Sequence, residues 1–456
     1  MTGAARTAAA TFARAVCDQY ASIGQLEDRD LALLASANLF GTMSISIVLP
    51  LLPTYADDLG AGPVVVGAIF AAPAAVRALG SLPAGYLADR IGRRRLIVGG
   101  AVLNGAAVIA LALAWSPLSI LLLRALDGLG MAAKGPATTA YIGDTVPGEE
   151  RGQAMGAYRT AGMLGLAVGP AVGGAIAFVG GHAAPFAVLG AATLCSALAL
   201  VAFLRPIERR DRTSTRECSE GEPTNRARTG ERSARGRLEA ALERAIPDAS
   251  RVRPFASLSI VAPGVSVLVS QLGTGAFAPL LAPLLEGTVD AGPGYVSLAW
   301  SCFGLGMVLF TPIGGTVADR VGRKPPLIAS KVGWAVVIAG LLVFETRPAP
   351  PALLFLGGVV SGLGGPAFGA LQYELAPEGR EGTLAGIYSG LDSTGQAIGP
   401  LLGGFLAGWV DIATVFALMA AVWVADTLTI AFGVRDRSRD GSGTDDPGEK
   451  RSTDAG

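Results

Sequence analysis

Residues 85–95 read GYLADRIGRRR, setting Asp89, Arg90, Arg93, Arg94 and Arg95 between long apolar runs. Residues 315–325, GTVADRVGRKP, repeat the phrase almost exactly 230 positions later, with Asp319, Arg320, Arg323 and Lys324. The same offset carries Gly62 to Gly292, Gly92 to Gly322, Pro147 to Pro377, Tyr158 to Tyr388 and Gly169-Pro170 to Gly399-Pro400. One offset held without a gap marks an internal duplication.

The duplicated unit is apolar. The 456 residues are 51% hydrophobic and 16% charged, with a mean hydropathy of +0.49. A soluble domain carries about one-quarter charged residues, so a polytopic membrane protein is expected. Glycine, at 63 residues, fits membrane helices better than soluble ones. The formal net charge is zero and selects no partner.

A membrane helix needs about 20 apolar residues. Twelve such segments can be drawn: 31–53, 63–84, 96–115, 118–143, 154–178, 185–204, 255–283, 293–314, 326–345, 351–373, 383–408 and 412–433. Residues 1–30 lack the apolar core of a secretory leader, so the first span is expected to be retained. Two six-helix bundles, 31–204 and 255–433, are then joined by a polar linker, 205–254. A polar tail, 434–456, is expected to be disordered. The arginines of one set of connections, against Asp57, Asp58, Glu286, Asp290, Glu345 and Asp411 in the other, predict that the first set is cytoplasmic, with both termini.

GYLADRIGRRR resembles the signature loop of the major facilitator superfamily. Arg124 and Gly128 in RALDGLGMAAKGP (124–136), and PGEERGQAMG (147–156), resemble two further motifs of that family. GLAVGPAVGG (165–174) resembles the fifth-helix motif of its drug:proton antiporter branch. The resemblance runs from about Leu31 to Gly433. It implies an all-α fold of twelve transmembrane helices in two pseudo-symmetric six-helix bundles. It also implies proton-coupled transport, with Arg124 taking part in proton transfer.

The residues carry readings of their own. Gly85 and Gly92 permit tight turns, and Asp89 at the membrane edge calls for a charged partner. Asp89, Arg93 and Asp144, repeated as Asp319, Arg323 and Glu374, are expected to form a cytoplasmic latch in each half, with Arg90, Arg320 and Gly322 beside them. Positive-inside anchoring is the alternative. It explains the arginines but not the acids. Gly165, Gly169, Gly173 and Gly174 around Pro170 predict a tightly packed, kinked helix. Gly395, Gly399, Gly403 and Gly404 around Pro400 repeat it, so part of the motif is packing common to both halves.

Arg124, Asp127 and Lys134 lie within about 80° of one another on the fourth span, with Met131 and Thr138 near the same arc. Buried charge is costly, so this stripe is the expected proton-coupling site, a structural ion network being the alternative. Asp392, with Tyr388 and Gln396 nearby, is the rival in the second half. Asn38 and Gln271 are weaker cavity candidates. Cys17, Cys195, Cys218 and Cys302 show no metal or disulfide spacing, and His182 reads as a solitary loop residue.

A Walker-type glycine loop, a nucleophile–base arrangement and a metal-ligand cluster are all missing from the sequence. No enzyme activity, cofactor or metal is expected. Glutamates interleave the linker arginines, which excludes strong nucleic-acid binding but leaves contact with anionic lipid heads. The expectation is a monomeric, multi-pass plasma-membrane transporter working by alternating access. It exports small amphipathic or drug-like compounds with proton coupling. An importer of a sugar or organic acid is the alternative, and a non-transporting sensor or scaffold the third choice.

Overall fold

The structure is a computed structural model. It describes residues 29–205, 258–377 and 380–434, without the side chains of 81–86, 88–90 and 381. The expected N-terminal segment, linker and tail lie almost wholly outside these residues. Among the described residues the chain forms thirteen helices: α1 (Arg29–Ser46), α2 (Val48–Asp58), α3 (Pro63–Ile91), α4 (Arg93–Leu111), α5 (Pro117–Thr145), α6 (Arg151–Gly180), α7 (Ala184–Phe203), α8 (Leu258–Val289), α9 (Pro293–Val321), α10 (Lys324–Val343), α11 (Ala349–Glu374), α12 (Glu381–Ala407) and α13 (Ile412–Gly433).

Nine of them are long and apolar enough to cross a membrane, and the bent pair α1–α2 makes a tenth span. The remaining two, α5 and α12, carry charged residues within their spans: Arg124, Asp127 and Lys134 on α5, and Asp392 on α12. In hydrocarbon only a helix satisfies its own backbone, so polar side chains on these two require protein neighbours. The α1–α2 bend of 42° has a local cause. Pro50 has no N–H to give the carbonyl of Ser46, and the helix breaks at Ile47.

The two halves pack alike. In the first, α1 lies against α6 and α7, α3 against α5, and α4 against α5 and α7. In the second, α8 lies against α12 and α13, α9 against α11, and α10 against α11 and α13. Between halves, α3 meets α12 and α6 meets α9. Each pairing recurs with its duplicated partner.

The signature phrase is corrected in place. It was expected in a connection, but α3 continues through Asp89 to Ile91, and Gly85 is helical. The turn falls on Gly92 alone, at φ 96°, and its counterpart on Gly322, at φ 92°. Both values favour glycine.

One end of the bundle carries Arg93, Arg151, Arg323 and Lys324, here called the basic face. The other carries Asp57, Asp58, Glu286 and Asp411, the acidic face. His182 is not solitary: the α2–α3 and α6–α7 connections meet on the acidic face, where its Nδ1 lies 2.8 Å from Asp58 Oδ2.

Candidate functional site

The glycine motif builds the scaffold. A Cβ on Gly165 would meet Met43 N at 3.0 Å, on Gly169 Met43 O at 2.8 Å, and on Gly173 Ile47 Cβ at 3.1 Å. α6 therefore lies directly on the broken first span. Gly395, Gly399 and Gly403 do the same on α8, against Leu268, Leu272 and Ala276. The fourth glycine of each set crosses to the other half: Gly174 faces Ser297 on α9, and Gly404 faces Pro63 and Gly67 on α3, at Pro400's end of α12. Pro170 sits within an unbroken α6.

These crossings, with Gly304 against Ala167 and Thr54 donating to Glu286 at 3.0 Å, lie between mid-helix and the acidic face. Arg77 on α3 donates to Gln396 on α12 at 2.8 Å, at the middle of both helices.

On the basic side the second bundle holds a cavity of about 480 Å³. It reaches from Gln271 and Phe303 near mid-helix to Leu327, Gln372 and Ile430, close to the basic ends of α10, α11 and α13. Phe303, Trp334, Phe368, Tyr388 and Trp423 make its aromatic wall, with Trp334 and Trp423 stacked at 5.6 Å. Asp392 lines it and accepts from Gln271 Nε2 and, at 2.8 Å, from Gln396 Nε2. Tyr388 donates to Ile260 O at 2.7 Å.

The α5 stripe is elsewhere. Arg124 and Asp127 are buried and paired, and Asn104 on α4 donates to Asp127. Lys134 donates to Ala37 O at 3.2 Å, and Thr138 spends its hydroxyl on Lys134 O. Gly128 brings α5 onto Pro73 of α3. Asn38 donates to Tyr158 O at 2.9 Å, bridging α1 and α6. Met131 is half-buried. None of these residues lines the C-terminal cavity.

Both charge trios sit on the basic face. Arg93 pairs with Asp144 and donates to Ala140 O at 2.7 Å. Arg323 pairs with Asp319 and, at 2.8 Å, with Glu374, joining the ends of α9, α10 and α11. The side chains of Asp89 and Arg90 lie outside the description.

Sequence reasoning passed over three residues. Arg77 reaches the Asp392 group from the other half. Lys331 on α10 pairs with Asp426 on α13 at 2.9 Å, at the cavity wall. The cavity also carries more hydroxyls than the stripe suggested, among them Ser266, Ser330, Ser361 and Ser389. The only available signal was a charge inside an apolar run, as at Lys331. Cys195 and Cys302 are free thiols, and Cys17 and Cys218 lie outside the described residues. Among the described residues no cluster of His, Cys, Asp and Glu suits a metal.

Two duplicated helical bundles, sealed along one half of their depth and holding a polar-and-aromatic cavity on the other, define a membrane transporter. The Major Facilitator Superfamily profile matches residues 34–262 and 264–454, and the chain belongs to that family. It is 26% identical over 391 residues to Multidrug resistance protein MdtG of Citrobacter koseri, covering 83% of this chain and 88% of the relative. The protein of that name from Enterobacter lignolyticus is 26% identical over 405 residues, covering 86% and 89%. Among solved structures, a D-xylose-proton symporter superposes with a TM-score of 0.68 at 18% identity, covering 89% of this chain and 97% of that one. An inward-facing, unoccupied bacterial homolog of the human lysosomal transporter Spinster superposes at 0.64 and 15%, covering 89% and 94%. At these identities the structures establish the shared fold.

Proposed function

We propose that the chain is a proton-coupled secondary transporter that exports small amphipathic cations by alternating access. The observation that carries this reading is the cavity. Its aromatic wall stands beside the carboxylate of Asp392, and the contacts between halves close it off toward the acidic face. An apolar pocket with a few placed polar groups suits an amphipathic ligand. The multidrug-resistance names of its relatives point the same way. The basic face is cytoplasmic by the positive-inside argument, so the conformation faces inward. Both termini are then cytoplasmic, and a monomer in contact with lipid suffices for the cycle.

On this reading the acid that faces cargo is sought at the cavity. A group that exchanges protons must reach water on each side in turn. Asp392 lines the cavity, whereas Asp127 is enclosed between α4 and α5. Asp392 is therefore the acid that meets cargo, and Arg124–Asp127–Lys134 an ion network that fixes α5 to α4 and α1.

The cavity serines favour hydrogen-bonding cargo and give the second reading, an importer of a sugar or organic acid. Proteoliposomes separate the two. Tetraphenylphosphonium movement driven by an imposed pH gradient, without gradient-driven hexose or organic-acid uptake, is the expected result. The opposite pattern would reverse the assignment.

A further inference from the structure

Among the described residues that line the cavity, Lys331 is the one cation and Asp392 the one anion. Adjacent residues of α8 hold them. Gln271 donates to Asp392, and Ser270 Oγ accepts from Lys331 Nζ. The second acceptor of Lys331 is Asp426 Oδ2 on α13, at 2.9 Å. The Asp426 side chain is fully enclosed, while that of Lys331 is 12% exposed. A ligand in the cavity therefore meets the ammonium, and the acid that neutralises it stands behind.

An ammonium has three N–H donors. Ser270 and Asp426 take two, and no further oxygen accepts from Lys331 among the described residues. Its remaining neighbour is the Trp423 ring, 5.2 Å away, near the outer limit of about 6 Å for a cation–π contact. One N–H of Lys331 is thus left for whatever fills the cavity. The other strong donors nearby are engaged. Trp334 Nε1 donates to Ser361 Oγ at 2.9 Å, and Arg77 donates to Gln396, outside the lining.

Charge balance leads to the same class of ligand. The charged groups at the cavity, and those bonded to them, are Arg77 and Lys331 against Asp392 and Asp426, two of each sign. A bound monocation adds one net charge within the membrane span, where net charge is costly. A ligand that carries both signs adds none.

We propose that Lys331 is a second ligand subsite, which takes the carboxylate oxygen of a cargo whose cationic end lies at Asp392. The preferred cargo is then zwitterionic, with its apolar body against Trp334 and Trp423. A cavity of about 480 Å³ is of the size that holds one small organic molecule, oriented by a few placed polar groups. The proposal rests on the cation-export reading of this cavity and deepens it: a cation without such an oxygen fills only the Asp392 end.

The test compares two ligands that differ in one group. The first is an aryl betaine, with a quaternary ammonium and a carboxylate at opposite ends of a biphenyl. The second is its methyl ester. Equilibrium binding to the purified full chain at neutral pH gives the ratio of their affinities. The parent should prefer the betaine on the order of tenfold, the scale of one hydrogen bond between charged groups. Removing Lys331 alone would strand Asp426, so the variant combines Lys331→Met with Asp426→Leu. Exchange of a buried ion pair for apolar side chains is often neutral for stability. Its ratio should fall to near one. Lys331→Arg keeps the charge and the N–H donors and should keep the preference. A packing defect weakens both ligands alike and leaves the ratio standing. A double variant that still prefers the betaine therefore overturns the subsite, and so does a parent that binds the two ligands equally.

The transport reading fails separately. A parent whose betaine preference depends on Lys331, but which shows no gradient-driven tetraphenylphosphonium movement in proteoliposomes, retains the subsite and loses export. A parent that moves tetraphenylphosphonium but binds betaine and ester equally retains export and loses the subsite.

Discussion

Gly174 and Gly404 are duplicated partners, and each presses its backbone against the opposite bundle, Gly174 at Ser297 and Gly404 at Gly67. Gly67 and Ser297 are themselves 230 positions apart. The seal between halves is therefore one contact written twice. A side chain at Gly404 would meet Gly67 Cα at 3.1 Å, and overpacking of this kind costs about 1–3 kcal/mol. Gly404→Leu should open the acidic side while leaving each bundle folded. Cysteine-labelling of Thr54→Cys from that side should rise in this variant. Unchanged labelling would show that the crossing does not close the pathway.

Gly169 makes the matching contact within one bundle, against Met43 O at 2.8 Å. Gly169→Leu must push α6 away from α1. A folded transporter that leaks protons or loses activity is expected, measured as gradient dissipation in vesicles. Normal coupled transport would deny the close contact a role.

The basic-face trios are exposed enough that each ion pair contributes only about 0–1 kcal/mol to the static structure. The latch reading requires that they be made and broken during the cycle. Asp319→Asn removes one Arg323 partner, and Asp89→Asn changes the equivalent position in the first half. Both should slow turnover, by up to about fivefold if one such pair is lost, with cation affinity in the purified protein unchanged. A parallel fall in affinity would make these residues ligands instead of latches.

Asp411 caps α13. Its carboxylate accepts from the Thr414 hydroxyl at 2.7 Å and the Thr414 N–H at 2.9 Å. These bonds, the hydroxyl's first, hold its pKa below the ordinary carboxylate value. A depressed folded-state pKa means the cap's contribution is complete above the unfolded value and is lost as pH falls through the folded one. The first turn of α13 should loosen only in acid. Asp411→Asn keeps an N-cap acceptor and should remove the acid dependence. Hydrogen exchange at Val415 and Phe416, corrected for intrinsic rate, reads both. Equal acid sensitivity in parent and variant would place the cause elsewhere.

The duplication was legible because one offset needs no knowledge of packing, and Gly174 and Gly404 show how far it reaches. Asp319, Arg323 and Glu374 could be grouped because they sit at helix ends that a short turn must bring together. Gly85 was misread because hydropathy locates the apolar part of a helix, not its polar last turns. Arg77 meets Gln396, and Lys331 meets Asp426, each across two helices, and both meetings depend on rotation about each axis. That rotation is set by packing, and spacing within one span does not encode it. The same limit applied to Asp127: periodicity placed it on a face with Arg124, but not which neighbour that face would meet.

Asp127 and Asp392 offer the sharpest comparison. Asp127 is enclosed, with Arg124 on one oxygen and Asn104 on the other. Removing one member of a buried ion pair typically costs about 3–5 kcal/mol, because the partner charge is left stranded. Asp127→Asn should therefore lower the thermal midpoint. The protein that survives should still move tetraphenylphosphonium in response to a pH gradient. Asp392 lines the cavity and is held by neutral amides, so Asp392→Asn strands no directly bonded cation and should fold normally. Without the carboxylate, cation exchange at zero gradient should fall along with gradient-driven transport. The two variants are compared in vesicles, each with a melting curve. If Asp127→Asn melts like the parent, exchanges cation normally and ignores the gradient, the proton is carried on α5 and the ion network is the coupling device. If Asp392→Asn still exchanges cation at the parental rate, the cavity carboxylate does not meet cargo.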